Sequence, residues 1–193
     1  MQSRSFGFVS CDDWCSYLLL YILTRPDIAY AVGACAGSMS NPTEEHMTAL
    51  KRIFRYVKGT MDYSLKYFHT GVPIKLEMCV DANFMGTYNS KSTTGFISYT
   101  GVGIVNYKSK RQSTVATATA HSETIAFFAA IRDLVLERRS AKGFKIIEHS
   151  DAHATIVFCD NTAAIELVRM PHPGVSDRTK HWHEMNSELG LVT

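Results

Sequence analysis

Three acidic residues stand where regular segments of the 193-residue chain begin or end. Asp81 closes the alternating run Lys75 to Val80 (KLEMCV), Glu123 lies near the start of a long stretch rich in Ala, Glu and Leu, and Asp160 closes Thr155 to Cys159 (TIVFC). If the strands ending at Asp81 and Asp160 are neighbours, both carboxylates reach one edge of a sheet, and a helix packed across that sheet can bring Glu123 toward them. Carboxylates held close together repel and raise one another's pKa unless cations neutralise them. Hard oxygen donors favour Mg²⁺ or Mn²⁺ over zinc. Two such ions, roughly 3.5 to 4 Å apart, can activate a water and stabilise the leaving oxygen of an in-line phosphodiester displacement. Phosphodiester hydrolysis is the chemistry this trio suits. Spacing alone also fits structural roles: Asp81 as a strand-end turn residue, Glu123 offsetting a helix dipole, and Asp160 capping the helix that follows.

Lys108, Lys110 and Arg111 form a basic cluster between the third strand and the long helix, and could hold a phosphate backbone through salt-sensitive, sequence-independent contacts. A solvated loop is the competing reading. Gln112 and Asn161 carry amides able to bond the 2′-hydroxyls that distinguish RNA from DNA. His149 and His153, and His181 and His183, have spacings that metal ligands can use, but neither pair has cysteine or carboxylate partners at zinc-site spacing, so they read as surface histidines. Five cysteines without a C-x-x-C pair read as reduced intracellular thiols, not as a disulfide framework or zinc cage.

Two kinds of segment must position these groups. Up to about Thr60 the chain reads helical. Thr24-Arg25-Pro26-Asp27 resembles a helix start, with Ile28, Ala31, Val32 and Cys35 at helical spacing after it. A second start is expected at Asn41-Pro42-Thr43-Glu44-Glu45, with Asn41 capping the amides and Gly59 as the stop. Met47, Leu50, Phe54 and Val57 form its buried stripe, and Lys51, Arg55 and Lys58 fall on another face. From about Lys75 the period changes. Strands are expected at Lys75 to Val80, Thr94 to Tyr99 and Ile104 to Lys108, a helix from Ala118 to Arg139, a strand at Thr155 to Cys159, and a helix at Asn161 to Val168.

The expected fold is therefore α/β, with three antiparallel strands, helix, strand and helix preceded by a helical segment. A hydrophobic content of 46% suffices for a core, and 20% charged residues of both signs exclude a low-complexity tail. The net charge of +2 is too small to diagnose a nucleic-acid partner by itself. Tyr17 to Leu23, the longest apolar run, is too short to span a bilayer, so no membrane partner is expected.

Longer motifs carry a family resemblance. Thr24 to Val32 (TRPDIAYAV), Ser40 to His46 (SNPTEEH) and Leu50 to Thr60 (LKRIFRYVKGT) resemble the tail of the reverse transcriptase in copia-type retrotransposon Pol polyproteins. Asn89 to Phe96 (NSKSTTGF), Lys108 to Ala116 (KSKRQSTVA), Phe158 to Asn161 (FCDN) with Ala163 to Ile165, and Arg178 to His181 (RTKH) resemble the RNase H domain that follows it. The match runs from about Ser16 to His181. It implies an unmatched N-terminus over residues 1–15, a helical reverse-transcriptase tail or connection segment over 16–70, and an RNase H-like domain over 71–193, shortened at its C-terminal end.

The resemblance implies hydrolysis of the RNA strand of an RNA–DNA hybrid with two Mg²⁺ or Mn²⁺ ions held by four acidic residues. Three map to Asp81, Glu123 and Asp160. The fourth falls on His183, which brings no negative charge, and Mg²⁺ prefers oxygen. Departures at Asn83, Phe84, Thr87 and His121 remove further charge or bulk near the site. Arg178 and Lys180 join Lys108, Lys110, Arg111, Gln112 and Asn161 as expected nucleic-acid contacts. The implied partners are the hybrid and the rest of a Pol polyprotein, and the implied location is a cytoplasmic particle or the nucleus. Weak or lost cleavage is expected from His183, with a non-catalytic nucleic-acid-binding Pol remnant as the alternative.

Overall fold

The computed structural model describes residues 24–38, 43–68, 71, 74–86, 90–144 and 155–169. They fall into two compact units, Met1–Leu65 and Lys66–Thr193.

In the first unit a 3-10 turn, Pro26–Ile28, leads into α1 (Ala29–Ala36), and α2 spans Glu44–Gly59. Pro26 costs nothing in a first turn, where its missing N–H would have no partner. α2 is capped by Thr43, not by Asn41, which lies outside the described residues. The Thr43 hydroxyl accepts from the His46 amide at 3.4 Å, and His46 Nδ1 accepts from the Thr43 amide at 3.1 Å. That reciprocal box fixes the start, and Glu44 and Glu45 face the positive helix end. Leu50 is buried, with Met47, Phe54 and Val57 half-buried beside it, while Lys51, Arg55 and Lys58 are exposed.

One side chain ties the two ends of this unit together. Arg25 donates from Nε and Nη2 to the Asp27 carboxylate at 3.0 and 2.8 Å, and from Nη1 and Nη2 to the Thr60 carbonyl and hydroxyl at 3.0 and 2.7 Å. Its guanidinium lies 5.7 Å from the Tyr56 ring centroid and 5.9 Å from that of Tyr63. Tyr56 donates to the same Asp27 carboxylate at 3.0 Å. A planar fork can satisfy a carboxylate and a helix end at once, which a point charge cannot.

In the second unit β1 (Leu76–Asn83), β2 (Thr93–Thr100) and β3 (Gly103–Arg111) pair antiparallel, α3 (Thr119–Gly143) crosses the sheet, and β4 (Ile156–Phe158) pairs parallel with β1 before α4 (Thr162–Arg169). The strand order is β3-β2-β1-β4. The unit is thus α/β with a mixed sheet, because a helical crossover returns β4 in the direction of β1. Leu76, Met78, Val80 and Ala82 of β1 and Phe96 of β2 pack on Ala126, Phe127, Ala130, Ile131, Leu134 and Val135 of α3. Alternation along β1 puts Glu77, Cys79, Asp81 and Asn83 on the other pleat. β1 does not stop at Asp81: pairing with β2 continues through Asp81↔Gly95 to Asn83↔Thr93.

The turn into β3 needs a glycine. Gly103 has φ +152°, and a Cβ there would meet the Tyr67 ring at 2.8 Å. Tyr67 in turn donates its hydroxyl to the Ile104 carbonyl at 2.8 Å, and the Phe68 amide donates to Val102 at 3.1 Å.

Candidate active site at the β1–β4 edge

The parallel register between β1 and β4 governs the site. Cys79 pairs with Phe158, the last residue of β4, so Asp81 and Asp160 each follow this last pair of the two strands by two positions. Both are exposed. Glu123, half-buried in the second turn of α3, precedes Ala126 and Phe127 by three and four residues and therefore shares their sheet-facing stripe. The charges of all three carboxylates are felt at Cys159. Burial pushes this thiol up; the backbone N–H of Asn161 donating to the sulfur opposes that, and the charges of Asp160, Glu123 and Asp81 reinforce it.

The carboxylates surround one sheet edge without closing on a common point. Among the described residues no three His, Cys, Asp or Glu side chains are grouped closely enough to hold a metal ion. The Asp81 carboxylate accepts from the Ala82 amide at 2.7 Å. The donor chemistry, three hard oxygens of negative charge, fits Mg²⁺ or Mn²⁺. His183, Arg178 and Lys180 lie outside the described residues.

The basic cluster divides. Lys110 and Arg111 are exposed at the end of β3. Lys108, across from Phe96 on the helix-facing pleat, donates to Asp133 of α3 at 2.6 Å and lies 5.6 Å from the Phe96 ring. Its charge is paired within the unit. Asn106, on the same pleat, donates to Glu137, one helical turn beyond Asp133, at 2.7 Å. The spacing of Asp133 and Glu137 was the available signal for this polar seam.

The two amides also turn inward. Gln112 is only 5% exposed, and its Nε2 donates to Thr94 Oγ1 at 3.1 Å and to the Ser122 carbonyl at 2.8 Å. Asn161 is 9% exposed and donates to the Ala120 carbonyl at 3.4 Å. Gln112 therefore has no donor left for a sugar hydroxyl, and both side chains act on the first turns of α3. These partners do not show in the sequence because an amide's partner is set by the packing of a distant helix.

With this geometry in view, similarity to known proteins becomes informative. The chain is 34% identical to the retrovirus-related Pol polyprotein from transposon TNT 1-94 of Nicotiana tabacum, over 86% of this chain and 12% of that protein. It is 30% identical to the Pol polyprotein from transposon RE2 of Arabidopsis thaliana, over 82% of this chain and 10% of that protein. It is also 35% identical to the secreted RxLR effector protein 161 of Plasmopara viticola, over 65% of this chain and 91% of that protein. No family model matches the chain, and no solved structure does. The chain belongs to the retrovirus-related Pol polyproteins of copia-type transposons. It spans about a tenth of the length of the Pol polyproteins it matches.

Proposed function

We propose that the Lys66–Thr193 unit is an RNase H-type domain of a retrotransposon Pol polyprotein, built to hydrolyse the RNA strand of an RNA–DNA hybrid and weakened in this chain by His183. The observation that carries this reading is the parallel pairing of β1 with β4, after whose last pair Asp81 and Asp160 each follow by two residues, with Glu123 on the sheet-facing stripe of α3. The order of three antiparallel strands, helix, parallel strand and helix supports the RNase H-like assignment.

Asp81, Glu123 and Asp160 would hold the ions. Two Mg²⁺ or Mn²⁺ ions, when bound, would supply an activated water and charge stabilisation for the leaving oxygen. The chain's own part is positional: the sheet carries two carboxylates past the last β1–β4 pair, and α3 carries the third toward them. Lys110 and Arg111 would take backbone phosphates of the hybrid.

A second reading, a hybrid-binding module that does not cut, is favoured by one observation: the described residues do not offer a ready-made cage, and Asp81 is bonded to its neighbour's amide. A labelled hybrid incubated with the purified chain and Mg²⁺ or Mn²⁺ separates the two. The nuclease reading expects little cleavage from the native chain, more from His183→Asp, and none once Asp81→Asn is added. Salt-dependent hybrid binding with no cleavage by either form supports the binding module. Strong native cleavage abolished by Asp81→Asn would show that His183 does not weaken the site.

A further inference from the structure

The first unit carries charge that the chemistry of the second does not use. On α2, Lys51, Arg52, Arg55 and Lys58 are all exposed. At about 3.6 residues per turn the four fall within a third of the helix circumference, and the exposed Tyr56 borders them beside Arg52. Among the described residues none of the four is in an ion pair. The carboxylates of the unit are placed elsewhere: Asp27 is paired with Arg25, Glu44 and Glu45 occupy the first turn of α2, and Asp62 follows its end. Lys51 with Arg55, and Arg52 with Arg55, are like charges at four- and three-residue spacing, which weakens a helix. The negative helix end offsets this for Lys58 in the last turn, but not for Lys51 and Arg52 in the middle. A stripe that weakens its own helix and stays exposed fits a polyanionic partner.

Beside the stripe stands an aromatic platform. Tyr56 is 43% exposed and Tyr63 59%. The Arg25 guanidinium lies over both rings, 5.7 and 5.9 Å from their centroids, and is itself fixed by Asp27 and Thr60. The Tyr56 hydroxyl also donates to Asp27. Rings held in this way lose little freedom when a flat partner stacks on them. Exposed rings next to a row of cations match an unpaired polynucleotide strand, whose phosphates meet the cations and whose unstacked bases meet the rings. A duplex could use the cations alone, because its bases are already stacked on one another.

We infer that Lys51, Arg52, Arg55 and Lys58 of α2, together with Tyr56 and Tyr63, form a binding surface for single-stranded nucleic acid. The surface lies in the first unit, needs no metal ion, and is independent of the hydrolytic reading of the second.

The test uses the full chain carrying Lys110→Ala and Arg111→Ala, so that the second unit's proposed phosphate contacts do not contribute. A labelled oligothymidylate of about 15 nucleotides is bound in EDTA at several salt concentrations and followed by fluorescence anisotropy. Arg52→Gln and Arg55→Gln should each flatten the slope of log affinity against log salt by about 0.7, the share of one single-strand phosphate. Tyr63→Leu should weaken binding about tenfold at unchanged slope, and should leave affinity for a blunt duplex of the same length as it was. Should Tyr63→Leu fail to fold by circular dichroism, Tyr63→Trp carries the comparison: its larger ring should bind the strand at least as tightly as the native one, and weaker binding would remove the platform. Unaltered affinity and slope in both arginine variants would overturn the inference and leave the hydrolytic reading standing. Arginine effects with no tyrosine effect would reduce the surface to backbone contacts that a duplex makes equally well. Equal binding of labelled polyglutamate would assign it to an acidic protein. Either of these last two results overturns the single-strand assignment.

Discussion

The Lys108 ammonium sits 2.6 Å from the Asp133 carboxylate, joining the edge strand of the sheet to the middle of the long helix. A lysine already paired inside the unit has little to offer a phosphate, whereas the neighbouring Lys110 and Arg111 are exposed. Each phosphate contact contributes about one unit to the slope of log affinity against log salt. Lys110→Ala and Arg111→Ala should each flatten that slope for hybrid binding by about one, and Lys108→Ala should leave it unchanged. An equal loss from all three would mean that Lys108 releases Asp133 to bind the hybrid.

The same pair makes a stability prediction. Lys108 is partly exposed and Asp133 less so, so screening limits the gain. A double-mutant cycle with Lys108→Ala and Asp133→Ala should give a coupling of about 0.5–1 kcal/mol. A coupling indistinguishable from zero would mean that the contact only fills space between β3 and α3.

How far the chain could be read in advance follows from what each residue depends on. The alternation of Leu76, Met78, Val80 and Ala82 is local, and it correctly separates the core pleat from the pleat carrying Asp81. The stripe through Ile131, Leu134 and Val135 is local too, and it places α3 on the sheet. The apolar alternation ends the strand at Asp81, yet β1 stays paired with β2 as far as Asn83. The partners of Lys108 and Gln112 were not legible, since neither Asp133 nor the Ser122 carbonyl is near in sequence; only the packing of α3 brings them within reach. Arg25, likewise, shows no sign in sequence of its bond to Thr60, thirty-five residues on.

Gly103 tests the hairpin. Its φ of +152° disfavours any Cβ, and an added methyl would meet Tyr67 Cδ1 at 2.8 Å and the Lys66 carbonyl at 3.2 Å. Gly103→Ala must displace the ring that donates to Ile104, so a loss of about 1–3 kcal/mol is expected in urea unfolding followed by circular dichroism. Restoration by Tyr67→Ala in the same chain would show that crowding dominates; no restoration would place the cost in the backbone.

Tyr99 offers an alkaline probe. Burial first, and then its bond to Cys79 at 3.9 Å and the charges of Cys79 and Glu77, push its hydroxyl up to about 12. The folded value lies above the ordinary value of about 10. The stability it contributes is therefore complete below pH about 10 and is lost as pH rises through about 12. Subtracting the 295 nm titration of Tyr99→Phe from that of the native chain should leave a step near the upper value. A difference step near 10 would show that the hydroxyl is not held in its neutral form.

The Arg25 clasp makes the opposite prediction at acid pH. Hydrogen bonding from Arg25 first, with that from Tyr56 and the charge of Arg25 added against a burial penalty, holds the Asp27 carboxyl below its ordinary range. A depressed folded value means that the unfolded chain binds protons more readily. The contribution is thus present above pH about 4 and lost as pH falls through the folded value. Unfolding of the native chain and of Asp27→Asn should differ most near neutrality and converge below pH about 4. Arg25→Lys, which keeps the charge but not the fork, should lose about 1–3 kcal/mol at neutral pH, since one ammonium cannot serve both Asp27 and Thr60 in this geometry. If Arg25→Lys unfolds like the native chain, charge alone holds α1 against the end of α2, and the pH dependence should then fade in high salt.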